Sequence, residues 1–152
     1  MRLLNKIFRL LSRLRLSLTK TGYVLKGYKI GHVIFHGAPI IYGPSENLFC
    51  GNNVHLNHAV TINCRDKVYI GNNVHLSDGC KLQTGMLSKN REIPGHIEGG
   101  IKIEDDVWIA SGVVISPGVT VGKGSVVGAN SVVLTDIGSK EFWGGIPAKR
   151  IR

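Results

Sequence analysis

Histidine ionises nearest neutral pH, and this 152-residue sequence carries six: His32, His36, His55, His58, His75 and His96. Beside an acceptor hydroxyl, such a side chain is the best-suited general base at neutral pH. The three cysteines, Cys50, Cys64 and Cys80, are odd in number and form no Cys-x-x-Cys pair. They therefore indicate neither a disulfide scaffold nor a zinc ribbon, and a reducing, cytoplasmic compartment is expected. Which histidine does chemistry depends on the elements that hold it.

Those elements are announced by an internal repeat. Apolar anchors fall at Cys50, Leu56 and Ile62, then at Ile70, Leu76 and Leu82. A third series runs through Ile103, Ile109, Ile115, Val121, Val127 and Val133, with every step inside a series equal to six. Four residues after the anchors come compact side chains: Val54, Val60, Val74, Cys80, Val107, Val113, Val119, Ser125 and Ser131. A period of six fits neither an amphipathic helix nor one long alternating strand. It fits a three-sided prism with one hexapeptide per face, its anchors stacked along the axis and glycine or asparagine at its corners. Two interruptions stand out. A step of eight from Ile62 to Ile70 makes a bulge, and a step of 21 from Leu82 to Ile103 ejects a polar, glycine-rich loop over 84–100.

Stacking turns sequence offsets into columns. His58, Asp78, Ser111 and Ala129, each two residues past an anchor, share one column. His55, His75 and Trp108, each five past, share another. Asp78 above His58 either orients its imidazole or is a plain exposed corner aspartate.

The repeat resembles the hexapeptide-repeat acyltransferases, pattern [LIV]-[GAED]-x-x-[STAV]-x. The match is most specific in IEDDVWIASGVVISPGVTVGKGSVVGANSVVLTD and in the closing GGIPAKRIR. It is nearest to the sugar and polysaccharide O-acetyltransferases and secondarily to serine acetyltransferase. The resemblance implies a mainly β fold, a left-handed parallel β-helix working as a homotrimer, with acetyl-CoA as acyl donor and no metal required. It also implies O-acetylation of a saccharide by a histidine base, the acceptor being a surface or capsular polysaccharide or its precursor.

Residue by residue, the resemblance places Ser111 and Ala129 along the pantetheine arm of CoA, where small side chains let it approach. Lys149 and Arg150 fall in the basic tail that meets the nucleotide end. Trp108 lines the site near the acceptor, and His75, below it in the same column, is counted as a second substrate contact, a polar surface role being its plainer reading. In maltose- and galactoside-type relatives the base follows a Thr-Gly step. Here Thr84–Gly85 is followed by Met86, which accepts no proton. The base is then His96, in the same loop, or His58, whose LNHAVTI setting resembles the serine acetyltransferase segment.

Two other functions stand beside this one. A catalytically decayed CoA-binding or scaffold protein is consistent with Met86. A metal hydrase of the γ-carbonic-anhydrase type needs converging histidines, and the sequence has no His-x4-His pair.

The charge belongs to the first segment. Of a net +9, residues 1–20 hold Arg2, Lys6, Arg9, Arg13, Arg15 and Lys20 with no acid, so a globally basic nucleic-acid binder is not indicated. Leu3, Ile7, Leu10, Leu14 and Leu18 recur there at helical spacing, widened by Leu4, Phe8 and Leu11. The expected element is an amphipathic helix over 1–20. It lies on the inner face of a membrane, or packs on this domain or a neighbouring subunit; an Arg-rich, acid-free start also fits an organellar transit peptide. The expected division is 1–20 helix, 21–137 β-helix and 138–152 C-terminal tail.

Overall fold

The computed structural model describes residues 28–87 and 96–152, together with Lys6, Ile7, Leu10, Leu11 and Leu14. The chain winds into a β-solenoid of about five turns, with three parallel sheets as its faces. Face A stacks Lys29–Ile30, Leu48–Cys50, Val68–Ile70, Ile101–Ile103 and Thr120–Val121. Face B stacks Val33–Phe35, Val54–Leu56, His75–Leu76, Trp108–Ile109, Val126–Val127 and Phe142–Gly145, then the antiparallel Ala148–Arg150. Face C stacks Ile40–Tyr42, Thr61–Asn63, Lys81–Gln83, Val114–Ile115 and Val132–Val133.

The hexapeptide anchors form the axis of the core. All twelve, from Cys50 to Val133, are buried, at 8% exposure or less. The nine compact residues four positions further on are buried as well, Ser125 and Ser131 included. Those two hydroxyls are satisfied internally: Ser125 Oγ donates to Gly138 O and Ser131 Oγ to Gly128 O, both at 2.6 Å. A buried hydroxyl without such a partner would cost about 1–3 kcal/mol.

Among the described residues the solenoid extends one turn before Cys50. Ile30 pairs with Cys50, Phe35 with Leu56 and Ile41 with Ile62. The intervening steps of five, six and nine break the period, so the anchors do not mark this turn, although the expected 21–137 β-helix includes it.

Both interruptions open at the corner between faces C and A. In the bulge, Thr84 Oγ1 donates to Asn63 O and accepts the Asp66 amide. The long loop leaves and returns as an antiparallel ladder, Gly85–Leu87 against His96–Glu98. At the other end, residues 138–152 fold back on the last coil. Gly128 N donates to Trp143 O, and Gly145 N to Ser131 Oγ. Of the expected N-terminal helix, Lys6, Ile7, Leu10, Leu11 and Leu14 are helical; its remaining positions lie outside the described residues.

Candidate active site

The corner between faces B and C carries the first column. Hydrogen bonds run from Gly79 N to His58 O, from Gly112 N to Asp78 O and from Asn130 N to Ser111 O, so His58, Asp78, Ser111 and Ala129 do stack in register. Directly below lies Gly37. A Cβ there would stand 2.7 Å from His58 Cα and 2.8 Å from the ring's Cγ and Cδ2. Glycine is what lets the imidazole lie across this coil. The next residue in each turn needs positive φ: Ala59 at 56°, Gly79 at 67°, Gly112 at 70° and Asn130 at 56°. Ala59, with its Cβ, holds that conformation at a cost of about 1–2 kcal/mol immediately after His58.

His58 and Asp78 are a pair. The His58 amide donates to Asp78 Oδ1 at 2.9 Å, and His58 Nδ1 lies 3.7 Å from the same oxygen. Both side chains are open, at 74% and 61% exposure, so an acceptor can reach the imidazole.

Higher on the column the backbone is left available. At the corner between faces A and B, the amides of His32, Asn52 and Asn72 are capped by the side chains of Asn52, Asn72 and Asp105. At the B–C corner only the His58 amide is capped so. The N–H groups of Asp78, Ser111 and Ala129 have no acceptor among the described residues. Small side chains and unused donors along one line suit an extended ligand bearing amide carbonyls.

The second column flanks the first. His55 stacks on His75 at 4.2 Å between centroids, and Trp108 lies 6.1 Å beyond His75, tilted by 44°. Trp108 is 56% exposed, and its indole N–H donates at 3.1 Å to Oγ of Ser77, the neighbour of Asp78. The stack extends downward to a residue that the columns did not predict. His36 Nε2 and His55 Nδ1 are 3.0 Å apart, with the rings nearly parallel. Burial first, then the nearby His75, His36 and His32, hold His55 below its ordinary value. These rings stack rather than converge, and among the described residues no group of three or more His, Cys, Asp or Glu is placed to hold a metal.

Residues 100–135 match the family model for bacterial transferase hexapeptide (six repeats). A hexapeptide-repeat acetyltransferase of Vibrio cholerae O1 biovar eltor, crystallised with acetyl coenzyme A, has the same fold. Its TM-score is 0.80 at 29% identity, over 93% of this chain and 83% of its own. The chain shares the β-solenoid fold of that acetyltransferase. Two further solved structures resemble this hexapeptide-repeat chain. A maltose O-acetyltransferase from Clostridium difficile 630 gives a TM-score of 0.76 at 28% identity, covering 83% of this chain and 68% of its own. A galactoside acetyltransferase in complex with coenzyme A gives 0.63 at 29% identity, covering 81% and 64%. No curated protein matches the chain in sequence.

The hexapeptide solenoid separates the remaining candidates. His96 pairs in register with Leu87, and Met86 with Ile97, in the ladder at the C–A corner; the His96 side chain lies outside the described residues. Within one chain, His58 and the loop thus occupy different corners. Lys149 and Arg150 lie on the closing hairpin, paired with Gly144 and Trp143, and Gly128 N donates to Trp143 O. Arg150 Nη1 is held 3.3 Å from Glu141 Oε1, whereas Lys149 has no ion pair among the described residues. The three cysteines are buried, and burial pushes each thiol up to about 12, which removes them as nucleophiles. A groove of about 410 Å³ on face A, beside Tyr69, Lys102 and Glu104, lies away from the B–C column.

The sequence reading missed Gly37 and His36. Gly37 lies in the turn where the six-residue period fails. His36 reaches its partner by side-chain direction rather than by column.

Proposed function

We propose that this protein transfers the acetyl group of acetyl-CoA to a hydroxyl of a saccharide, with His58 as general base. The carrying observation is the single column that joins an open His58–Asp78 pair to Ser111 and Ala129, with their small side chains and amides that have no acceptor among the described residues. The likeness to maltose and galactoside acetyltransferases supports a sugar acceptor.

In this reading the pantetheine arm runs along Ser111 and Ala129, and its carbonyls accept their N–H groups. Lys149, on the closing hairpin, offers the nucleotide phosphates an ammonium that has no ion pair among the described residues. His58 takes the acceptor hydroxyl's proton as its oxygen attacks the thioester carbonyl; the imidazolium then returns a proton to the departing thiolate. Asp78 holds the ring and opposes its developing positive charge. Trp108 and His75 flank the acceptor on face B, and an aromatic face suits a pyranose ring. The protein works as a trimer, its sites lying between subunits. Exposed Trp108 and Val126 on face B and Leu134 beside face C supply apolar surface for that contact.

The test is free-thiol release and acetyl-product mass spectrometry for wild type, His58→Ala and His96→Ala across a panel of glycans, with CoA binding measured in parallel. His58→Ala is expected to lower kcat by about 10²–10⁴-fold while CoA still binds. Loss in His96→Ala alone would move the base to the loop. A wild type that binds CoA without turnover is the decayed protein that Met86 allows, and one that binds none defeats the proposal.

A further inference from the structure

The acetyl-transfer column makes no use of the leucine stripe near the start of the chain. Ile7, Leu10, Leu11 and Leu14 are helical and 46%, 67%, 58% and 56% exposed, so the solenoid does not cover them. Their spacing of three, four and seven residues puts all four on one helical face. On the 100° period of a helix, the sequence positions of Arg2, Lys6, Arg9, Arg13 and Lys20 share an arc of about 60° that flanks this stripe on one side, and Arg15 flanks it on the other. A stripe of leucine flanked on both sides by unrelieved positive charge needs a partner that is apolar beneath and anionic around it.

A second copy of this segment is a poor partner, since six basic residues and no acid would meet their like. A bilayer crossing is no better, because Lys6, Arg9, Arg13 and Arg15 interrupt the apolar runs of this segment. We propose that residues 1–20 dock in the plane of an anionic phospholipid surface. The leucines sink to the acyl boundary, while the arginines and lysines lie among the headgroups. This inference is independent of the acetyl-transfer reading.

The test is co-sedimentation of the full chain with phosphatidylcholine vesicles and with vesicles containing about one-third phosphatidylglycerol, at low and high salt. Wild type is expected to bind only the anionic vesicles and to release at high salt. Arg9→Ser/Arg13→Ser should weaken binding on the order of thirtyfold, and Leu10→Glu/Leu14→Glu should abolish it, with the β-sheet circular dichroism of both unchanged. The proposal is overturned if wild type ignores anionic vesicles or if both double variants bind as wild type does. It is overturned equally if Leu10→Glu/Leu14→Glu instead lowers the oligomeric mass without lipid, since that assigns the stripe to another copy of the chain.

Discussion

Oδ1 of Asp78 accepts the backbone N–H of His58 at 2.9 Å and lies 3.7 Å from Nδ1 of the same residue. One oxygen therefore ties the carboxylate to the coil below and presents it to the ring. Asp78→Asn keeps an acceptor for the amide and removes the charge. It is expected to lower kcat roughly tenfold with KM for acetyl-CoA unchanged, and Asp78→Ala, which also frees the amide, should lose more. Steady-state kinetics decide the matter: wild-type kcat in Asp78→Asn would mean that the charge does nothing for His58.

Gly37 is the floor under that ring. With a Cβ required to sit 2.7–2.8 Å from His58, either the ring or the coil must move. Gly37→Ala should cost about 1–3 kcal/mol of stability and reduce kcat in the folded fraction, leaving CoA affinity intact because Ser111 and Ala129 are coils away. Thermal melts beside single-turnover rates separate the two effects. Full turnover by folded Gly37→Ala would show that the ring's seat is unimportant.

The fold was legible wherever the period held. From Cys50 to Val133 every anchor is buried and in register, because a side chain repeating every sixth residue has only the prism axis to share. The period fails in the first turn, where Phe35 and Ile41 occupy anchor columns while the spacing between Ile30 and Cys50 is uneven, although the expected 21–137 β-helix takes that turn in. An extra or missing residue absorbed in a corner leaves the strands paired but erases the period from the sequence.

The site was legible in part, for the same reason. Columns depend on offsets, so His58–Asp78 and His55–His75–Trp108 could be read. Gly37 depends on what a neighbouring coil needs in space, and the unused amides of Ser111 and Ala129 depend on which corners lack a capping Asn or Asp. Neither is a property of one residue. The nearly identical hexapeptides CGNNVH at 50–55 and IGNNVH at 70–75 mark the capped corner: Asn52 caps the His32 amide, Asn72 caps that of Asn52, and Asn53 Nδ2 donates to Asn73 Oδ1 at 3.0 Å.

The histidine stack predicts a specific loss of stability in acid. His55 titrates below its ordinary 6.5 in the folded protein, so the unfolded chain takes up its proton first. That contribution is fully present above about pH 6.5 and is lost as pH falls through the lower native value. The thermal midpoint should therefore drop between about pH 7 and 5, and His55→Gln should flatten the drop. Glu104 and Glu141 are held below 4.5, chiefly by hydrogen bonds from Lys102 and Trp143, so their losses come at more acid pH. An unchanged slope in His55→Gln would assign the acid sensitivity elsewhere.

Trp108 offers a direct report on ligand entry. The sequence holds two tryptophans, and the other, Trp143, is half-buried with its indole N–H on Glu141 Oε2 at 2.8 Å. Trp143→Phe leaves Trp108 as the sole emitter, exposed beside Ser77 and the His58–Asp78 pair. Titration with CoA or with an accepted sugar should shift or quench its emission, because a ligand laid along the column displaces water from the indole face. Trp108→Ala should raise KM for the stacked ligand by about three- to tenfold with little change in kcat, since stacking binds ground state and transition state alike. Whichever ligand moves the emission is the one whose KM must rise. Emission indifferent to both ligands at saturation would remove Trp108 from the groove and leave it to subunit packing alone.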